Sequence, residues 1–223
     1  MMNKKLTVEE MQRIDVATFK TADKLPLVMV LDNVRSLHNV GSVLRTADAF
    51  RLAGVWLCGI TGAPDGRPAV QPGEDRPNPN IAEIHKTALG AEDSVEWHYV
   101  PTTMEAVRHL RAEGYTIVAI EQCEGSVMLN EWQAWEPAPQ KLETPKPHRS
   151  ASRQGDACLS KNLEKYAFIM GNEVKGVAQE VVDAADMVIE IPQYGTKHSL
   201  NVSVTAGIVM WEVLRQALAA GIL

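Results

Sequence analysis

Short apolar runs alternate along this chain with amphipathic stretches, and that alternation constrains the fold more than any other feature. "PLVMVLD", "GVWLCGI", "VEWHYV", "YTIVAIE", "YAFIMG" and "MVIEIP" are each the length of a strand. Helical periodicity fills the gaps: Asn39–Arg51, a stretch from Ile81 to Gly90, "TMEAVRHLRAEG" stopped by Gly114, "AQEVVDAA", and a last helix from near Ser199 to about Ala220. Strands alternating with helices predict an α/β domain whose mainly parallel sheet carries helices on both faces. With 223 residues, 45% of them hydrophobic, the chain has enough apolar material for one sizeable core.

Two segments break the rhythm. "GAPDGRPAVQPGEDRPNPN" (62–80) is rich in Pro and Gly and predicts a loop. "EPAPQKLETPKPHRSASRQGDACLSK" (136–161) is Pro-rich, then polar and slightly basic, and predicts a flexible insertion. Residues 1–24 form an N-terminal helical extension ahead of a main domain over 25–223; Thr7 and Glu10 are spaced as a capping box for a short helix there.

Several classes fall away. The first twenty residues lack the apolar core of a secretory signal. The longest apolar stretch, near the C-terminus, is broken by polar residues, which argues against a membrane span. Three scattered cysteines without a CxxC pair or histidine cluster predict neither a disulfide framework nor a metal site, and fit a reduced cytoplasm. No GxGxxG or Walker loop follows any strand, so a small-molecule enzyme of the usual dinucleotide or nucleotide type has no motif to rest on. A formal net charge of −6 argues mildly against a nucleic-acid binder, although a local basic patch is compatible with an acidic total.

Parallel sheets bind ligands beyond the carboxyl ends of their strands. Three loops there are chemically loaded: "DNVRSLHNVG", "GNEVKG" and "PQYGTKHSLN". Each has a plain structural alternative. Asn39 suits a helix N-cap, Ser199 another, and Glu173 a helix start near its positive dipole end. Arg45 is the odd residue. Val40, Val43, Leu44, Ala47 and Phe50 form one apolar stripe, whereas Arg45 falls off it, in line with Gly41 and Asp48. Gly41 is expected to leave open space beneath the arginine.

In order, "HNVGSVLRTADAF", "IMGNEVKGV" and "IPQYGTKHSLNVSVTAGIVMWE" resemble the three motifs of the SpoU/TrmH-type RNA ribose 2′-O-methyltransferases of the SPOUT class. The resemblance runs from about Leu25 to Gln216 and points most to the tRNA branch, with ribosomal RNA as the alternative substrate. It implies a C-terminal trefoil knot, a homodimer, and S-adenosylmethionine held largely by backbone groups. By position, the cofactor residues are Ile120, Glu121, Gly171, Asn172, Gly176, Ile191 and Leu200. The catalytic set is Arg45, Asn39, Ser199, Glu173 and Asn201, with no metal. Asn39 and Ser199 are expected to help hold Arg45, which faces RNA.

A guanidinium stays protonated in proteins, so Arg45 is expected to orient the ribose and its phosphate and to stabilise developing alkoxide charge. His198 is the rival group that titrates near neutral pH. Arg35, Arg45, Lys86 and Lys197 are expected to line an RNA groove. The apolar residues of the last helix cover more than one face, which suits packing on its own sheet and on a second copy. A catalytically inactive RNA-binding relative would share the scaffold without the chemistry.

Overall fold

The computed structural model describes residues 4–7, 9–68, 80–135 and 163–222. Both the segment 136–161 and most of 62–80 lie outside the described residues. The strands are β1 (Leu25–Asp32), β2 (Leu52–Cys58), β3 (Trp97–Val100), β4 (Tyr115–Ile120), β5 (Val127–Met128), β6 (Lys165–Met170) and β7 (Met187–Glu190). The helices are α1 (Val16–Thr21), α2 (Leu37–Ala49), α3 (Asn80–Ala88), α4 (Ala91–Ser94), α5 (Thr103–Ala112), α6 (Gln179–Ala184) and α7 (Val202–Ala219). The sheet is parallel throughout, in the order β3-β2-β1-β6-β4-β7-β5.

Strand alternation divides the core in two. Leu27, Met29 and Leu31 of β1 face the apolar stripe of α2 and the buried side of α7, while Val28 and Val30 face α5 and α6. Helices therefore cover both faces, which is why β1 reads as a continuous apolar run. Cys58 ends β2 inside this packing; burial pushes its thiol up to about 12, so it stays protonated.

The strand order places the site. The chain winds outward from β1 to β2 and β3, returns to lay β4 beyond β1, and only later inserts β6 between them. The loop after β6 thus emerges at the centre of the sheet, flanked by the loops after β1 and β4. The segment before the second undescribed stretch is bound to the last helix: Gln216 accepts from the Ala134 amide at 2.6 Å and donates to the Trp132 carbonyl at 3.0 Å.

Local sequence signals hold at some positions and give way to the surrounding structure at others. Gly114 follows α5 with φ of +83°, as a helix-stopping glycine should. Thr7 and Glu10 make both capping-box bonds, at 2.8 and 3.3 Å, but they close a turn and not a helix. Gln12 turns the backbone left-handed (φ 49°), and α1 begins only after Asp15, whose carboxylate accepts from the Thr18 amide at 2.7 Å. The last helix starts at Val202, capped by Asn201, three residues later than its pattern predicts for Ser199. Helix α7 is long and apolar enough for a membrane span by those two measures. Yet Val202, Ala206, Val209, Met210, Val213 and Ala217 bury one side of it in the core.

Candidate active site

Three loops meet at the carboxyl ends of β4, β6 and β7 around a cavity of about 540 Å³, a size that suits a cofactor. Its lining includes Ile120, Glu121, Gly171, Asn172, Gly176, Ile191 and Leu200, all seven residues predicted to hold a cofactor, and also Glu173, Ser199 and Asn201.

The loop 171–176 closes on itself. Asn172 and Gly176 exchange backbone hydrogen bonds of 2.9 Å, and the Asn172 side chain donates to the Asn33 carbonyl at 2.7 Å. This close approach demands glycine. A Cβ at Gly171 would lie 2.1 Å from the Gly176 carbonyl carbon, and one at Gly176 (φ +69°) would lie 2.0 Å from a Glu121 carboxylate oxygen. With side chains absent there, the loop presents backbone.

The Glu121 carboxylate has a further task. It accepts from the Val177 amide at 2.8 Å and the Gln122 amide at 2.9 Å, fastening the end of β4 to the loop after β6.

Glu173 reaches across to the N-terminus of α2, the helix of another motif and not one of its own. Its carboxylate accepts from the amides of Arg35 and Ser36, both at 3.0 Å, and from the Asn39 side chain at 3.1 Å. Burial pushes its pKa up, but the amides of Arg35, Glu173 and Ser36 and the Asn39 side chain outweigh this and hold the carboxyl below its ordinary value. Asn39 in turn accepts from the Asn201 side chain at 3.2 Å. The N-cap of α2 is Ser36, whose hydroxyl accepts from the Asn39 amide at 3.3 Å, so the capping alternative for Asn39 is overturned. Its side chain is free to join the other two motifs.

A family pattern described as the SpoU rRNA methylase family matches residues 26–211, which contain all three loops. The chain belongs to that family. Among the relatives of this SpoU-family chain is the 23S rRNA (guanosine-2'-O-)-methyltransferase RlmB of Vibrio vulnificus, 31% identical over 195 residues, covering 87% of this chain and 61% of the relative. Another is the tRNA (guanosine(18)-2'-O)-methyltransferase of Thermus thermophilus, 27% identical, covering 88% of this chain and 78% of the relative. An AdoMet-bound rRNA methyltransferase from Sinorhizobium meliloti shares the fold with a TM-score of 0.60, at 23% identity, over 86% of this chain and 60% of that one. The SpoU-family chain spans about three-fifths of the length of the ribosomal RNA methyltransferases it matches.

Arg45 stands apart from this cluster. It is exposed on α2 and lines a second cavity, of about 740 Å³, with the N-terminal segment and the α3–α4 turn. Six positions beyond Asn39, it lies about 9 Å further along the helix axis and on a different side. Among the described residues no hydrogen bond joins it to Asn39 or Ser199, so the expected support is not formed within one chain. Gly41 corrects a second expectation. It is buried where α2 crosses α3, and a Cβ would lie 2.3 Å from the Ile84 carbonyl oxygen and 2.1 Å from the Thr87 hydroxyl. Its small size serves helix contact and leaves no room for a sugar.

Of the other predicted groups, Ser199 and His198 are exposed on the loop after β7, and the His198 carbonyl accepts from the Gln122 side chain at 3.2 Å. Lys86 is paired with Glu83. Sequence reasoning missed Asp32. Buried at the end of β1, its carboxylate accepts from the Asn33 side chain (2.8 Å), the Thr103 hydroxyl and the Ala178 amide (3.0 Å). An ionisable residue ending an otherwise apolar run was the available signal.

Proposed function

We propose that this chain transfers a methyl group from S-adenosylmethionine to a ribose 2′-hydroxyl of RNA. The observation that carries the proposal is the joining of all three family motifs, through Glu173, Asn39 and Asn201, at one glycine-lined cavity. When bound, S-adenosylmethionine supplies an electrophilic methyl group on sulfonium sulfur. The residues present suit it: Gly171 and Gly176 place no side chain in the lining, and Ile120, Ile191 and Leu200 add apolar surface.

Glu173 and Asn201 hold the loops in register, and Ser199 stands at the cavity's wall. Within one chain Arg45 lies outside the cofactor cavity, so in the dimer proposed below the Arg45 of a second copy grips the adjacent phosphate and stabilises charge developing on the attacking oxygen. The 2′-hydroxyl proton passes to a phosphate oxygen or water, because a guanidinium cannot accept it.

The finer reading has three parts. The motif resemblance favours a tRNA guanosine, whereas the name of the Vibrio relative favours ribosomal RNA. The chain end is proposed to thread through a trefoil knot, which suits the bonds from Gln216 to the segment before β6. A homodimer is proposed through α7, on which Val204 (51%), Ile208 (37%), Trp211 (53%) and Leu218 (53%) form an exposed stripe at helical spacing. Paired copies would line one groove with Arg35, Arg45, Lys86 and Lys197, and binding there should be salt-sensitive. Sedimentation at micromolar concentration is expected to give a dimer; a monomer would remove that part.

The deciding experiment maps 2′-O-methyl sites in cellular RNA with and without the gene, beside calorimetric titration with S-adenosylmethionine. Loss of a methyl group from tRNA or from ribosomal RNA supports the reading and chooses the substrate. Cofactor binding is expected at roughly micromolar Kd, about −8 kcal/mol. RNA binding without cofactor binding would point to an inactive relative. With neither cofactor binding nor a lost methyl group, the proposal fails.

A further inference from the structure

The second cavity holds an unusual concentration of both charge and backbone strain. It lies between the N-terminal segment 11–16, the C-terminal half of α2 and the α3–α4 turn. Arg13, Arg45 and Arg51 line it, and none of the three has an ion pair among the described residues. Two carboxylates share the space, each accepting a hydrogen bond from a neutral donor. Asp15 accepts from the Thr18 amide at 2.7 Å, and Asp48 accepts from the Ser94 hydroxyl at 2.9 Å. Three cations against two engaged anions leave a net positive cavity.

Among the described residues, four that are not glycine have left-handed backbone: Gln12, Asn33, Arg51 and Leu89. Three of them, Gln12, Arg51 and Leu89, line this one cavity. L-residues adopt that conformation at a cost, and such strain gathers where a side chain is needed in a particular place. Leu89 makes the case most clearly. It has φ of 54° and is 63% exposed, so neither backbone preference nor burial accounts for leucine there. Met11 and Ile14, opposite it in sequence but in the same lining, are also exposed.

Guanidinium groups beside exposed apolar side chains suit a phosphodiester: the arginines match its phosphates, and the apolar side chains offer its base a surface out of water. We propose that this cavity is an RNA nucleotide site. Arg13 and Arg51 bind phosphates flanking the one gripped by Arg45, and the base lies against Leu89, Met11 and Ile14. The site deepens the methyltransferase reading and rests on it. It gives the N-terminal segment a role in substrate selection: residues 11–16 complete a wall that α2 and the α3–α4 turn leave open.

The test compares the full-length chain with Arg13→Gln, Arg51→Gln and Leu89→Gly. The probe is unfractionated RNA from cells lacking the gene, labelled at its ends, with S-adenosylmethionine titrated separately. Each arginine variant is expected to weaken RNA binding about tenfold and to lower the slope of log affinity against log salt by about one. Leu89→Gly is expected to weaken RNA binding several-fold with an unchanged salt slope, and to melt no lower than the parent because glycine relieves the left-handed backbone. Cofactor affinity should be the same in all four proteins.

RNA affinity and salt slope unchanged in all three variants would overturn the site. So would an affinity loss accompanied by lower melting temperature or weaker cofactor binding, which marks a structural role. A parent chain that binds neither the RNA nor S-adenosylmethionine would overturn the methyltransferase reading itself. The parent's own titrations thus distinguish the two failures.

Discussion

The two cavities hold their polar groups in opposite states. Around the loops after β6 and β7, the Glu173 carboxylate has three donors within 3.1 Å, Asn39 is bonded to two motifs, and Asn201 caps α7 while reaching back to α2. Around Arg45, three guanidinium groups face a cavity whose carboxylates are already engaged. The first region has its bonds satisfied internally and is held in shape before any ligand arrives. The second keeps its charge for something outside the chain. Geometry that must be fixed in advance and charge that must be available to a polyanion call for these different solutions.

The largest expected effect lies on the unsatisfied side. Arg45→Ala should lower the methylation rate on the order of a hundredfold or more with cofactor affinity nearly unchanged, and Arg45→Lys should fall between, because a lysine keeps charge but not the two-pronged grip. Single-turnover methylation with separate cofactor titration checks this. A nearly normal Arg45→Ala beside a nearly dead His198→Ala would reverse the assignment and break the comparison.

Next comes Gly171→Ala on the satisfied side. Its Cβ would meet Gly176 and Val177 backbone at 2.1 Å, so the loop must shift. The expectation is a loss of about 1–3 kcal/mol in denaturant unfolding together with weaker cofactor binding. Gly41→Ala is the control, since its Cβ would meet Ile84 backbone at 2.3 Å, away from the cofactor loops. It should lose stability alone. Equal cofactor losses in both would show that the first region is not a separate unit.

Glu173→Gln keeps the shape and removes the charge. The bonds to a charged acceptor are worth more than neutral ones, but the carboxylate is exposed and partly screened, so the expected cost is roughly 1 kcal/mol. The smallest effect is its pH dependence. The folded pKa lies below the ordinary 4.5, so the stability Glu173 contributes is complete above that value and lost as pH falls through the folded pKa. The difference in stability between parent and Glu173→Gln should be flat from about pH 5 to 8 and shrink only in more acid solution. A change near neutrality would mean that Glu173 is not held ionised by the amides of α2.

Much of the fold was legible because its signals are local. The run ending at Asp32 and the helix stopped at Gly114 each declare themselves within a dozen residues. The short β5 and α4 were missed because two to four residues carry no usable period. At the site, the residues assigned to a cofactor line one cavity, whereas three individual readings failed for one reason. Asn39 suits a cap, but Ser36 took that place; Glu173 suits its own helix start, but it serves α2; Gly41 suits an open space, but α3 fills it. A helical wheel shows which residues share a face, not what stands opposite that face.

The sequence by itself determined the alternation of strands and helices, the two-sided burial of β1 and the presence of three motif loops at strand ends. Periodicity and turn chemistry are properties of neighbouring residues, so they are readable without a fold. Only the tertiary structure decided that β6 enters between β1 and β4, and that Glu173 meets Asn39 across 134 positions. It also decided that Arg45 faces a different cavity from the residues expected to support it. Those outcomes depend on which strands pair and which helices cross, choices set by the packing of the whole core.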